Sequence, residues 1–193
     1  MLGNNRIHAT MITIDGLRHL GGTPRYTPVG VIRFEFSKNR MYHFFSEHAP
    51  PVLIDNIHTH PHSFSSRIIK GGIRNHIYHV EDSETETQHH VTHISYRTGE
   101  RAEANVHREN VTFQEVAQFD TYTGGTYTID STTMHKIHIL EPKTVTLLDC
   151  NPYIGGLDDV YFVMGKDVTY TWEELQNLKT EQECWEIVAD TLA

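Results

Sequence analysis

From Ile7 to Met164 the apolar residues come in short runs, mixed with polar ones and rich in β-branched and aromatic types. That is the pattern of half-buried strands. Ile7 to Asp15, Val29 to Phe36 and Arg40 to Ser46 read as the first strands, separated by Gly21-Gly22-Thr23-Pro24 and Ser37-Lys38-Asn39. Ser65 to Ile69 leads through Gly71-Gly72 into Ile73 to Val80, and the acidic stretch from Glu81 to Thr87 reads as a solvated loop. His89 to Arg97, the turn Thr98-Gly99, Ala102 to Val106, Val111 to Phe119 and the turn Thr123-Gly124-Gly125 follow. Strands around Tyr127 to Ile129, His135 to Leu140, Val145 to Asp149 and Val160 to Met164 complete the series. Many short strands punctuated by glycine turns predict an all-β sandwich or barrel.

The tail changes period. Thr171-Trp172-Glu173-Glu174 and Thr180-Glu181-Gln182-Glu183 each place a threonine three residues before a glutamate, the spacing of a capping box. Two short helices are expected over 171–192, the second gathering Cys184, Trp185, Ile187, Val188 and Leu192 on a face that lies against the sheet.

Composition narrows the setting. With 193 residues and no internal repeat or linker, the chain reads as one domain, a barrel over about 7–168 and a helical segment over 171–192. A net charge of −9 argues against a polyanionic partner held by counterion release, so nucleic acid is not expected. Two cysteines, Cys150 and Cys184, are too few for a disulfide framework. The N-terminus lacks the apolar core of a signal peptide and no run is long enough to span a bilayer, so a cytoplasmic protein without a membrane partner is the expectation. The oligomeric state stays open, a homo-oligomer included.

Against this background the fifteen histidines stand out. His58 and His60, in His58-Thr59-His60-Pro61-His62, are two apart on an extended chain and therefore point to one face. His135, from a distant strand, could complete a facial set of three imidazoles around one metal ion. Three protein ligands leave positions for water, dioxygen or a bidentate substrate. Imidazole suits iron, zinc, nickel and copper alike, so the donor set alone leaves the metal open. The plain alternative is that these are ordinary polar strand residues of a histidine-rich chain. His62 keeps the parity of the pair but follows Pro61, which interrupts a ladder, and is placed beside the ligands where substrate would sit. His138 alternates away from His135 and should face outward, while His89, His90 and His93 flank the acidic loop and read as solvated.

The segment His58-Thr59-His60-Pro61-His62-Ser63-Phe64-Ser65-Ser66-Arg67-Ile68-Ile69-Lys70-Gly71-Gly72 resembles the first cupin motif. Ser65 stands at the motif's glutamate position and Gly72 at its glycine. The stretch Gly125 to His135 is similar to the second motif, with Asp130 and Thr132 at its proline and glycine positions and His135 as the final ligand. A non-ligand in place of the glutamate makes the pattern most similar to the thiol dioxygenase branch, and the run from Tyr127 to Pro152 resembles the second half of cysteine dioxygenases. It also looks like a broader group of small cupins of unassigned activity.

The resemblance covers roughly residues 40 to 153. It implies a double-stranded β-helix, or jelly-roll, barrel that holds iron(II) with His58, His60 and His135, zinc, nickel, manganese or copper being the other candidates. Where that branch has a catalytic tyrosine this chain has Cys150, expected with Tyr127 beside the metal ligands. A counterpart of the branch's carboxylate-binding arginine is not evident.

Counting by twos from Ser65 puts Arg67 on the barrel-facing side, where a guanidinium requires an anion. Ser65, Arg67 and His62 are thus the candidate substrate contacts. The leading functional expectation is a non-haem iron(II) dioxygenase acting on a small polar or anionic molecule such as a thiol. A metal-assisted hydrolase, lyase or isomerase, and a non-catalytic small-ligand-binding barrel, are the alternatives.

Overall fold

The computed structural model describes residues 12–51, 57–95, 104–151, 159–167 and 178–193. A short helix (Ile14–His19) precedes twelve strands: β1 (Pro24–Thr27), β2 (Val31–Ser37), β3 (Arg40–Phe45), β4 (Ser63–Lys70), β5 (Gly72–Asp82), β6 (His89–Ser95), β7 (Ala104–Arg108), β8 (Val111–Tyr122), β9 (Thr126–Ile129), β10 (Met134–Ile139), β11 (Thr144–Asn151) and β12 (Asp159–Gly165). A second helix, Glu181–Leu192, closes the described chain. The expected all-β character therefore holds.

The strands form a six-stranded sheet in the order β1-β2-β3-β11-β4-β9 and two three-stranded sheets, β10-β5-β8 and β12-β6-β7. The smaller sheets are bridged by His58, which pairs antiparallel with His135 of β10 on one side and Phe162 of β12 on the other.

Strand alternation sorts the six-stranded sheet into two working faces. Ile32 and Phe34 of β2, Phe44 of β3 and Val145 of β11 pack with Cys184, Ile187 and Val188 of the C-terminal helix. The opposite face carries Val31, Phe45 and Ile68, which meet Ile73 of β5 and Ile137 and Ile139 of β10. Further along it, Phe64, Ile129 and Leu148 meet Ile77 of β5. That second face is the interior in which the functional site lies.

The C-terminal helix begins as its sequence requires. Thr180 Oγ1 accepts from the Glu183 amide while the Glu183 carboxylate accepts from the Thr180 amide at 2.7 Å, completing the capping box. The corresponding box at Thr171 lies outside the described residues, as do the turn at Thr98-Gly99 and the segment Ile7 to Met11.

Two local expectations are corrected. The end of the stretch read as the first strand is helical instead, because Thr13 caps it: Thr13 Oγ1 accepts from the Gly16 amide at 3.1 Å, with Asp15 in the first turn and Arg18 and His19 in the last. Pro24, read as part of a turn, opens β1. It does so on the edge of the sheet, the place where a missing amide is tolerated.

Gly71 joins β4 to β5 and so carries the chain from one sheet to the other. It has φ +81°, and a Cβ there would lie 2.9 Å from the Thr144 Cα. Both conditions exclude a side chain. Gly71→Ala is expected to lower stability by about 1 to 3 kcal/mol, read as a reduced urea midpoint at unchanged slope; a midpoint equal to wild type would contradict this strand-to-strand geometry.

Candidate metal centre

The segment Ile57 to His60 is held as a short strand between β10 and β12. The His58 amide donates to the His135 carbonyl at 2.9 Å and the His135 amide returns the bond to His58 at 3.0 Å. Such a doubly bonded antiparallel pair places its two side chains opposite each other on one face. On the other side, the Thr59 amide donates to the Tyr161 carbonyl and the Val163 amide to the Ile57 carbonyl, each at 2.9 Å. Thr59 turns away from the interior, and its Oγ1 accepts the Tyr161 amide at 2.9 Å. Backbone pairing alone thus aims His58, His60 and His135 at one point.

The three rings converge with centroids 4.8 to 5.0 Å apart. One ligating nitrogen from each lies within 4.8 Å of the others, and His60 Nε2 is 2.8 Å from His135 Nε2. Two imidazoles bound at right angles to one ion at 2.0 to 2.1 Å would have their nitrogens about 2.9 Å apart. The donor set fits a divalent metal.

Orientation of the rings comes from the surroundings. Asn75 Oδ1 lies 3.2 Å from His135 Nδ1; with that nitrogen donating to the amide oxygen, the lone pair of His135 is at Nε2, facing His60. Phe64 sits edge-on to His60 at 4.6 Å and Phe162 stacks on His58 at 5.8 Å, so one wall of the centre is apolar. Burial, reinforced by the neighbouring imidazoles, holds His60 and His135 well below the ordinary histidine pKa. They are neutral, as ligands must be.

The substrate contacts expected at Ser65 and Arg67 are not in the interior. The count from Ser65, the motif's glutamate position, started on the wrong parity: Pro61 and His62 form a bend before β4 starts at Ser63, yet the alternation of His58 and His60 continues through it to Phe64, Ser66 and Ile68. Phe64, Ser66 and Ile68 face inward and are buried, whereas Arg67 is exposed and Ser65 Oγ bonds Thr128 Oγ1 at 3.0 Å. The residue nearest the imidazoles on this strand is a phenyl ring.

His62 lies on the bend, with a buried Nδ1 that finds no partner among the described residues. Cys150 is half-buried and pairs across strands with Phe64; burial pushes its thiol up, so it stays protonated. Tyr127 packs edge-on against Phe64, and its hydroxyl is in polar contact with Ser66 and Asn75. Burial raises the Tyr127 pKa and those contacts oppose the rise. His138 is exposed, as alternation required, while His89 packs on Phe113 and His93 on Tyr161.

Several residues around the centre escaped the sequence reading. His43 of β3 lies opposite Arg33 of β2 and Thr146 of β11, on the same side of the sheet as Phe45 and Val31. Burial, then Arg33 and His58, push its pKa down to about 3. Arg33, not Arg67, is therefore the guanidinium on the interior side, where it pairs with Glu35 at 3.1 Å near the solvent-exposed margin. The available signal was polarity out of phase. Asn75 interrupts the inward series Ile73, Asn75, Ile77, and His43 interrupts Met41, His43, Phe45.

A cavity of about 250 Å³ lined by Thr59, Met134, His107 and Tyr161 lies behind the centre. Thr59 and Met134 alternate with the ligands, so this cavity opens on the far side of the backbone clamp from the imidazoles.

No family model and no curated protein matches the chain. Among solved structures, hydroquinone 1,2-dioxygenase from Sphingomonas sp. TTNP3 with 4-hydroxybenzoate bound aligns over 63% of this chain and 63% of its own, at 10% identity and a TM-score of 0.32. The functional reading therefore rests on the site itself. No helix among the described residues is long and apolar enough to cross a membrane.

Buried neutral histidines make stability depend on pH with a definite sign. In the unfolded chain they bind protons below about 6.5, whereas in the fold His43, His60 and His135 resist protonation. The unfolded state then holds more protons, so stability is fully present above about pH 6.5 and falls as pH drops towards the folded values. Urea midpoints of metal-free protein at pH 7, 6 and 5 should decline, each imidazole contributing up to about 1.4 kcal/mol per pH unit. A flat profile would mean that these rings are open to water.

Proposed function

We propose that the protein is a metal-dependent enzyme of the cupin type, a double-stranded β-helix barrel whose His58, His60 and His135 hold one divalent ion. The favoured activity is a non-haem iron(II) dioxygenase acting on a small polar or anionic molecule, a thiol being one candidate. The observation that carries this reading is the convergence of three buried imidazoles, with ligating nitrogens within 4.8 Å and a carbonyl oxygen fixing the tautomer of one.

Three neutral nitrogens and no carboxylate leave the ion's charge uncompensated by protein, which suits an anionic substrate, and leave open positions beside it. Iron(II), when bound, would supply the capacity to activate dioxygen and to orient a chelating substrate next to it. The chain's own residues do the rest. Asn75 fixes the His135 ring, Phe64 and Phe162 exclude water from one side, and Arg33 places a positive charge on the interior side of β2. Fully buried Ile73 and Ile68 pack with Val31 and Phe45 in the apolar part of the interior.

Metal analysis and oxygen uptake test this directly. Protein purified without oxygen and reloaded with iron(II) should bind one equivalent, and His58→Ala, His60→Ala or His135→Ala should each lower that stoichiometry sharply. His138→Ala should leave it unchanged. Oxygen consumption with small thiols and other bidentate chelators then identifies the substrate class. A triple alanine variant that still bound a full equivalent would refute the ligand assignment, and turnover by zinc-loaded protein without oxygen would establish the hydrolytic or isomerising chemistry instead.

A further inference from the structure

Polar atoms without partners are rare in a protein interior, and each calls for a reason. Six buried side-chain atoms lack a hydrogen-bond partner among the described residues, and four of them belong to the two inward faces around the imidazoles: His43 Nε2, Thr146 Oγ1, Ser66 Oγ and Asn75 Nδ2. Asn75 and Ser66 share polar contact with the Tyr127 hydroxyl, although without good hydrogen-bond geometry. His43 and Thr146 have no such neighbour. They face each other across the β3–β11 pair, and His43 is close enough to His58 and His60 for the rings to influence one another electrostatically. It is nevertheless outside the group of nitrogens that can ligate together.

Leaving a buried donor unmet costs about as much as losing a hydrogen bond, and this fold leaves an imidazole and a hydroxyl unmet side by side. An apolar pair of the same shape would avoid that cost. The atoms that could meet them are those of a ligand lying between the imidazole triad and β3. We propose that His43 is a positioning residue, with Nε2–H, supported by the Thr146 hydroxyl, donating to a small anionic or oxygen-bearing ligand that occupies the position beside His58, His60 and His135. The inference rests on the metal-centre reading and adds a polar stretch of wall to the apolar one made by Phe64 and Phe162.

Cobalt(II) and azide provide the probes, since the visible bands of the cobalt-loaded protein report both metal occupancy and anion binding without turnover. His43→Phe keeps a ring in the same space and removes the donor, Thr146→Val removes the hydroxyl at equal volume, and His43→Gln retains a donor amide. All three should hold one equivalent of cobalt. His43→Phe should weaken azide binding by about tenfold to a hundredfold, Thr146→Val by less, and His43→Gln should recover part of the loss. The proposal is overturned if His43→Phe and Thr146→Val bind azide within about twofold of wild type. Loss of cobalt from His43→Gln, melting like wild type, would overturn it too, by making His43 a ligand. A wild-type protein that binds no cobalt would overturn both this assignment and the metal centre beneath it.

Discussion

The mutual backbone hydrogen bonds between His58 and His135 are the constraint on which the rest of the site depends. They bring together two residues far apart in the chain, set both imidazoles on one face, and leave His60 no choice but the same face two residues on. The same short segment bonds to β12 on its other side, so a stretch of only a few residues joins the two three-stranded sheets. His58 and His135 therefore sit on backbone that is hydrogen-bonded on both sides.

This arrangement has a cost, visible in the interior. Two inward sheet faces that could have been wholly aliphatic carry polar residues, His43, Ser66, Thr144 and Thr146 on the six-stranded sheet and Asn75 on β5. Some of that polarity is spent structurally: Thr144 Oγ1 bonds the Glu141 carbonyl at 2.9 Å and holds the turn beside Gly71, and Asn75 orients His135. Ser66 meets the Tyr127 hydroxyl, and Thr146 faces His43, which lies near His58 and His60. The helix-covered face is apolar by contrast, with Ile32, Phe34, Phe44 and Val188 fully buried.

Much of the strand layout was legible because the physics that sets it is local. Alternation over Arg40 to Phe45 or Ile73 to Val80 follows from the period of an extended chain, and glycines at 71 and 124 mark turns because their φ values of +81° and +88° suit no other residue well. The capping box at Thr180 is equally local and is formed as expected. Pairing the two histidine segments was legible too, through spacing and resemblance, since i and i+2 on a strand must share a face.

What failed did so where a motif position was used in place of strand alternation. The alternation of His58 and His60 runs on through the bend at Pro61 and His62 into β4, so Phe64 and Ser66 face the interior while Ser65, set at the motif's ligand position, and Arg67 face away. By itself the sequence determined an all-β chain, its turns, the C-terminal helix and the identity of three neutral nitrogen donors, because those depend on neighbours along the backbone. The tertiary structure alone decided strand order and register, and that Asn75 and His43 lie beside those donors. Strand order and register are set by the burial of whole faces, and no short window of sequence contains that information.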